Sequence, residues 1–104
     1  MPISGKSYNF GKANIDKAPA EHGVYVLYGG SPIIYIGQAA GENVTIQSRL
    51  QSHHRGDEGP CSKRATTYRR EVTEAADLRE HELIEEYKEQ HNGALPPCNV
   101  QPAT

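Results

Sequence analysis

GVYVLYGGSPIIYIG, residues 23–37, consists of two short apolar runs on either side of a Gly-Gly-Ser-Pro segment. β-Branched and aromatic residues favour strands, and glycine close to proline is typical of a turn. The stretch therefore predicts a β-hairpin with strands over residues 23–28 and 32–37. Tyr25 lies near the start of the first strand and Tyr35 near the end of the second. The hairpin would hold both side chains on a rigid, paired scaffold.

Beyond the hairpin, the sequence predicts two helices and a third strand. Residues 43–55 are predicted as a helix with Asn43 as its N-cap, and residues 64–72 have the composition of a strand. A long helix over residues 74–91 follows, with Thr73 as its cap. The order strand, strand, helix, strand, helix predicts an α+β fold with a small three-stranded, mostly antiparallel sheet flanked by helices.

The length of 104 residues is that of one small domain. Residues 1–20 are polar and interrupted by glycine and proline, so we expect an N-terminal extension that packs on a domain over residues 21–104. The N-terminal region lacks the apolar stretch of a signal peptide, and no run is long enough to span a membrane, which predicts a cytoplasmic protein. In that compartment Cys61 and Cys98 are expected as reduced thiols, with a disulfide as the alternative.

Basic residues are concentrated in one short segment, although the net charge of the chain is −2. Eight of the thirteen acidic residues lie between Glu71 and Glu89. A local positive potential permits DNA binding by a weakly acidic domain. Some of the basic side chains are equally well explained as solvated charges of a strand. The candidates for contacts with backbone phosphates are Lys63, Arg64, Arg69 and Arg70.

Glu80 interrupts the apolar face of the second predicted helix. At about 100° per residue, Glu80 falls in the middle of a single apolar stripe. A carboxylate in such a position is costly unless it is paired or ligated. Two interpretations stay open, an ion pair or wet position at the edge of the stripe, and a metal ligand. The apolar residues of the stripe are Ala76, Leu83, Ile84 and Tyr87.

The first predicted helix carries Arg49 and His53 one turn apart, at the border of an apolar side formed by Ile46 and Leu50. An arginine stabilises negative charge on a phosphate, a histidine transfers protons, and a carboxylate binds a hard cation. Together with Glu80, these residue types are the parts needed for metal-assisted hydrolysis of a phosphodiester.

The same residues resemble the motifs of the GIY-YIG nuclease family. Gly23-Val24-Tyr25 stands where the family has its first triplet, with valine in place of isoleucine, and Tyr35-Ile36-Gly37 matches the second triplet. The resemblance covers about residues 22–100 and implies the order of strands and helices given above. The other matches are the arginine of the first helix, a tyrosine or histidine one turn later, the metal-binding glutamate and a late asparagine, at Arg49, His53, Glu80 and Asn99.

The resemblance implies an endonuclease that hydrolyses DNA at a single active site with Mg²⁺ or Mn²⁺. In this interpretation Glu80 holds the cation, Arg49 binds the phosphate, and Tyr35 positions the phosphate or the water. The general base is either Tyr25 or His53. A further residue, Asn99, braces the site from behind.

Gln38 departs from the family, because many members have a lysine directly after the second triplet. That lysine is thought to assist a tyrosine in losing its proton, and an unperturbed tyrosine has a pKa of about 10. Gln38, at the border of the site, therefore leaves a second interpretation open, a catalytically impaired module that binds DNA or a protein. Family members usually add a separate domain that selects the DNA, so a homodimer or a partner protein is expected to supply specificity.

Overall fold

A four-stranded antiparallel sheet organises residues 3–99, the part of the chain that the computed structural model describes. Its strands are β1 (Tyr8–Asn9), β2 (Gly23–Tyr28), β3 (Ile33–Ala39) and β4 (Thr67–Val72), in the order β1-β4-β2-β3. The helices are α1 (Lys12–Ile15), α2 (Ile46–Arg55), α3 (Pro60–Lys63) and α4 (Ala76–Gln90), followed by a 3₁₀ turn over Pro97–Asn99. The predicted α+β class is confirmed. No helix within residues 3–99 is long and apolar enough to cross a membrane.

The sheet has one strand more than the three predicted, because Tyr8–Asn9 pairs with β4 at the edge of the sheet. Tyr8 lies opposite Tyr68, and the two rings stack with their centroids 5.4 Å apart. A strand this short has no periodicity, so contact with β4 rather than propensity decides its position. Ile15 and Ala18, which follow it, are buried in the core. The division at residue 20 stays a prediction, and residues 1, 2 and 100–104 of the two predicted units lie outside the described residues.

Both predicted helix caps are wrong in position. The N-cap of α2 is Thr45, whose hydroxyl accepts from Ser48 N at 3.0 Å while the Ser48 hydroxyl accepts from Thr45 N at 2.9 Å. This reciprocal capping box satisfies the first N–H groups, and Asn43 precedes it in a left-handed conformation with φ of +63°. The N-cap of α4 is Ala75, whose N–H donates to the Thr73 hydroxyl at 3.1 Å.

The sheet is covered on both faces, which explains the unbroken apolar run of β2. One face packs against α1 and α2, in a core that contains Tyr25, Leu27 and Tyr68. The opposite face packs against α4 through Ile36 and Leu83. Because β2 lies between β3 and β4, all six of its residues are buried. Tyr25 and Tyr35 of the hairpin and Glu80 of α4 are therefore contributed from opposite sides of one sheet.

Cys61 and Cys98 form a disulfide, which contradicts the expectation of two reduced thiols. The cysteines are 37 residues apart in sequence, but the fold brings their Cα atoms to 5.5 Å. The bond joins α3 to the 3₁₀ turn. The expectation rests on the compartment, whereas pairing depends on geometry that the spacing in sequence does not supply.

Candidate active site

Each of the two tyrosine triplets contains a glycine, Gly23 or Gly37, at a position where a side chain would clash with neighbouring atoms. A Cβ on Gly37 would lie 2.5 Å from the hydroxyl oxygen of Tyr25 and 2.7 Å from Cε2 of Tyr35. A Cβ on Gly23 would overlap the carbonyl oxygen of Glu71 on the neighbouring strand. Gly37 is paired with Tyr25, so the Tyr25 ring lies across the bare backbone of β3. Gly37 therefore creates the space in which both tyrosine rings pack, whereas Gly23 permits the close approach of β4.

Tyr25, His53 and Ser62 form a buried chain of hydrogen bonds. The Tyr25 hydroxyl lies 2.9 Å from Nε2 of His53, and Nδ1 of His53 lies 2.7 Å from the Ser62 hydroxyl. These side chains come from β2, α2 and α3 in turn, and none is more than 2% exposed. Both ring nitrogens of His53 thus have partners inside the protein.

Burial sets the protonation states of this chain. Desolvation raises the pKa of Tyr25, the nearby Tyr35 adds to the shift, and Arg49 opposes it. Desolvation, with the positive charge of Arg49, lowers the pKa of His53 to about 4. At neutral pH Tyr25 is therefore a protonated phenol and His53 a neutral imidazole.

Tyr35 and Arg49 are the half-buried members of the same cluster. The Tyr35 ring centroid is 4.7 Å from that of His53 and 6.1 Å from that of Tyr25. Arg49 interacts with both tyrosine hydroxyls, and its side chain is 28% exposed. The guanidinium also pairs with the carboxylate of Glu58 at 3.4 Å. A carboxylate thus occupies part of the surface on which Arg49 could bind another anion.

Gln38 and Glu80 meet on the other face of β3, an edge strand of the sheet. Gln38 pairs with Val24 and faces α4, where its Nε2 donates to Oε1 of Glu80 at 3.3 Å. Desolvation raises the pKa of the half-buried Glu80, and the positive charge of Arg49 opposes this shift. Arg49 and Glu80 therefore interact electrostatically around the edge of the sheet. An open cleft at this edge is lined by Gln38, Arg49 and Asp77, among others.

The carboxylate of Glu80 fits a divalent cation that is bound through few protein ligands. Within residues 3–99, no three His, Cys, Asp or Glu side chains are grouped so that they could hold a metal ion. Mg²⁺ does not need such a cage, because it keeps several waters and binds through one or two carboxylates. Beside Glu80, the amide oxygen of Gln38 is buried and has no hydrogen-bond partner among the described residues. The donor set is therefore compatible with a hydrated hard cation at Glu80.

Asn99 binds the free edge of β3 as a neighbouring strand would. Its Oδ1 accepts from the N–H of Ile36 and its Nδ2 donates to the carbonyl of Ile36, each at 2.8 Å. Ile36 is the central residue of the second triplet, so Asn99 fixes the backbone that carries it. The preceding residue, Cys98, is bonded to Cys61, which is adjacent to Ser62. The disulfide thus links the brace of β3 with the hydrogen-bond partner of His53.

The four basic residues predicted to contact phosphates do not share one surface. Arg69 faces α4, whereas Arg70 faces the α2 side and stacks on Tyr8, with its guanidinium carbon 4.5 Å from the ring centroid. Neighbouring residues of a strand point to opposite faces, so a single basic patch that includes this pair is excluded. Lys63 and Arg64 are exposed at the C-terminal end of α3. Their contacts with phosphate stay a prediction.

Two residues of the site are not expected from the sequence, Glu58 and Ser62. Glu58 lies in the loop after α2 and pairs with Arg49, and Ser62 lies in α3 and bonds His53. Their partners depend on the path of the chain, which local pattern does not reveal. The loop itself is indicated in the sequence by Gly56 and Gly59, which bracket it. In the structure both glycines have positive φ, +90° and +99°.

Comparison with known proteins finds no match to this chain among family models, curated proteins or solved structures. Indications of its function therefore come from the geometry of the cluster and from the motifs that resemble the nuclease family.

Proposed function

We propose that this protein is a metal-dependent endonuclease that hydrolyses DNA phosphodiester bonds at a single active site of the GIY-YIG type. The observation that carries the proposal is a buried cluster of two tyrosines and a histidine beneath a partly exposed Arg49, which interacts electrostatically with Glu80. Packing alone requires neither an arginine head group at the surface nor a half-buried carboxylate beside it. Phosphodiester hydrolysis uses both.

Arg49 binds the scissile phosphate in this proposal. Its guanidinium presents donors to the oxygens on which negative charge increases in the transition state. The phosphate replaces Glu58, whose ion pair at 3.4 Å is long and partly exposed, and is therefore weak. Tyr35 positions the phosphate or the attacking water beside Arg49. Exposed Lys63 and Arg64 are the better placed of the basic residues for contacts with flanking phosphates.

Tyr25 and His53 act together as the general base. Neither is favourable alone, because burial opposes both the phenolate of Tyr25 and the imidazolium of His53. Through their 2.9 Å hydrogen bond, Tyr25 can pass its proton to His53 as it accepts one from the water, a step that requires the buried phenol to open to water when DNA binds. The positive charge of Arg49 is one cause of the low pKa of His53. A phosphate bound to Arg49 would offset that charge, so substrate binding would strengthen the base.

Glu80 holds the divalent cation, Mg²⁺ or Mn²⁺. When bound there, the cation would supply Lewis-acid stabilisation of charge on the phosphate and the leaving oxygen. The neighbouring Leu83 packs in the core between α4 and the sheet, which fixes the helix and hence the carboxylate. Asn99 keeps β3, the strand of Tyr35, in place through its two bonds to Ile36.

A second candidate function is a catalytically impaired module that binds DNA or a protein. Two observations favour it. Gln38 is neutral where many members of the nuclease family have a lysine, and the Tyr25 side chain is completely buried, which keeps its phenol from bulk water. Such a module would hold DNA without cutting it, and EDTA would not change its binding. Cleavage in the presence of Mg²⁺ therefore separates the two functions.

Cleavage of supercoiled plasmid by purified variants tests the proposal. Glu80→Gln and Arg49→Ala are each expected to reduce Mg²⁺-dependent nicking by at least about 100-fold, with the melting temperature retained. Glu89→Gln removes an exposed carboxylate of the same helix and should cut like the wild type. Full nicking by Glu80→Gln would remove the metal assignment. DNA binding without cleavage by the wild type would favour the impaired module.

Specificity and location are parts of the proposal that depend on other components. DNA is the expected partner, and a homodimer or a partner protein would select the site of cleavage. The cytoplasmic location predicted from the sequence is also a proposal. The Cys61–Cys98 disulfide weighs against it, because disulfides persist mainly in oxidising compartments.

A further inference from the structure

Gln38 has one amide atom bonded to Glu80 and another without a partner. Its Nε2 donates to Oε1 of Glu80 at 3.3 Å, which is long for such a bond. Its Oε1 is buried, and no described residue donates a hydrogen bond to it. Buried amide oxygens nearly always have a donor. The contacts with protein groups therefore leave this side chain poorly satisfied.

Gln38 lines an open cleft although its amide oxygen is buried, so the end of the amide that donates to Glu80 is the one that a cation would have to reach. Gln38 lies on β3, with Val24 of β2 paired on one side and the edge of the sheet on the other. The side chain lines the open cleft that Arg49 and Asp77 also line. The two ends of the amide exchange places by rotation about one bond, and only hydrogen-bond partners decide between the orientations.

We propose that Gln38 is a second protein ligand of the divalent cation held by Glu80. With the amide turned over, its carbonyl oxygen takes the position next to Glu80 and joins the carboxylate on the cation. Two oxygens on neighbouring sites of an octahedral ion, each about 2.1 Å from it, lie about 3 Å apart. The amide group and Glu80 Oε1 are already 3.3 Å apart. This inference depends on the proposed function, because it deepens the role of Glu80.

The chemistry of the pair favours a hard cation over a simple brace. A carboxylate and an amide carbonyl are both oxygen ligands of the type that Mg²⁺ and Mn²⁺ prefer. A positively charged side chain at position 38 would repel such an ion, whereas a neutral amide binds it. The departure from lysine then changes how the cation is held and does not by itself remove catalysis.

Binding of Mn²⁺ to the full chain without DNA tests this proposal. Calorimetry, or the loss of the free-ion electron paramagnetic resonance signal, measures this binding. The wild type should bind one ion and Glu80→Gln none. Gln38→Met removes the oxygen at nearly constant volume and should weaken binding about tenfold or more. Gln38→Glu removes the amide donor but supplies a charged oxygen, so it should bind at least as tightly as the wild type. Melting curves without metal confirm that each variant is folded.

The remaining outcomes overturn the proposal in distinguishable ways. If Gln38→Met binds Mn²⁺ like the wild type while Glu80→Gln does not, Gln38 is no ligand and the endonuclease proposal stands. If Gln38→Met and Gln38→Glu are weakened alike, Gln38 acts only as a hydrogen-bond donor to Glu80. If the wild type binds no Mn²⁺ at millimolar concentration without DNA, Gln38 and Glu80 form no metal site by themselves and the ligand role fails, whereas plasmid nicking still decides the endonuclease proposal.

Discussion

Gly37 shows how a single missing side chain determines the arrangement of the site. The Tyr25 ring occupies the space that a Cβ at this position would need, 2.5 Å from the hydroxyl oxygen. We expect Gly37→Ala to lower the free energy of unfolding by about 2–3 kcal/mol through overpacking. Gly11→Ala is the matched control, because a Cβ there meets nothing within 4 Å. Equal urea midpoints for the two variants would contradict this role of the triplet glycine.

His53 makes stability depend on pH in a defined direction. Its pKa falls from about 6.5 in the unfolded chain to about 4 in the fold, so its contribution is complete above pH 6.5 and is lost as the pH falls towards 4. Between pH 7 and 4.5 the loss attributable to His53 is about 2–3 kcal/mol. Urea unfolding of the wild type and of His53→Gln, which does not titrate, measures it by difference. Parallel pH profiles for the two proteins would show that the imidazole is not held neutral.

Glu58 competes with any anion for Arg49. Its partly exposed ion pair is worth about 0.2–1 kcal/mol, so Glu58→Gln should tighten the binding of inorganic phosphate by up to about fivefold. Glu85→Gln is the charge-matched control, since Glu85 pairs with Lys88 on α4. Phosphate titrations of the three proteins decide the point. Equal affinities for wild type and Glu58→Gln would mean that Arg49 is not the phosphate site.

At the residue scale, the sequence identifies candidate site residues when the type of side chain conflicts with its position in an element. Glu80 stands in an apolar stripe, and the structure places it half-buried beside Gln38. The sequence does not identify Ser62, because a serine is not unusual at its position. Its hydrogen bond to His53 depends on the path of the loop between α2 and α3. The complete burial of Tyr25 is likewise a property of the packed cluster, not of the hairpin.

At the scale of elements, long apolar patterns predict the strands and helices correctly, whereas short elements are not predicted. The hairpin, the third strand and both long helices follow from apolar patterns, and each is present as β2, β3, β4, α2 and α4. The short β1 and α3 are too brief to carry a pattern. The predicted N-caps are wrong because several polar residues precede each helix, and tertiary contacts determine which of them caps it.

The disulfide between α3 and the 3₁₀ turn is the element-scale feature with the clearest energetic consequence. It closes a loop across 37 positions, for which the chain-entropy argument gives about 4 kcal/mol of stabilisation. Reduction with dithiothreitol should therefore lower the urea midpoint of the wild type markedly. The double variant Cys61→Ser, Cys98→Ser should start at the lower midpoint and not respond to reductant. A wild-type midpoint that is unaffected by reduction would contradict the stabilising role of the bond.

At the scale of the whole molecule, the sequence predicts the class of fold but not how distant segments meet. The pairing of Cys61 with Cys98 and the separation of Arg69 from Arg70 onto opposite faces both depend on the assembled sheet. The electrostatic interaction of Arg49 on α2 with Glu80 on α4 around the edge of β3 is of the same kind. The resemblance to a nuclease family suggests that these two residues belong to one site, whereas spacing along the chain does not.

The single active site that we propose has a consequence for the products. A single site hydrolyses one strand at a time, so we predict that open circular DNA accumulates before any linear form. Purified wild-type protein should convert supercoiled plasmid to open circles with Mg²⁺, and EDTA should stop the reaction completely. A time course on an agarose gel measures this. No nicking at any Mg²⁺ or Mn²⁺ concentration, or nicking that persists in EDTA, would contradict the assignment of a metal-dependent endonuclease.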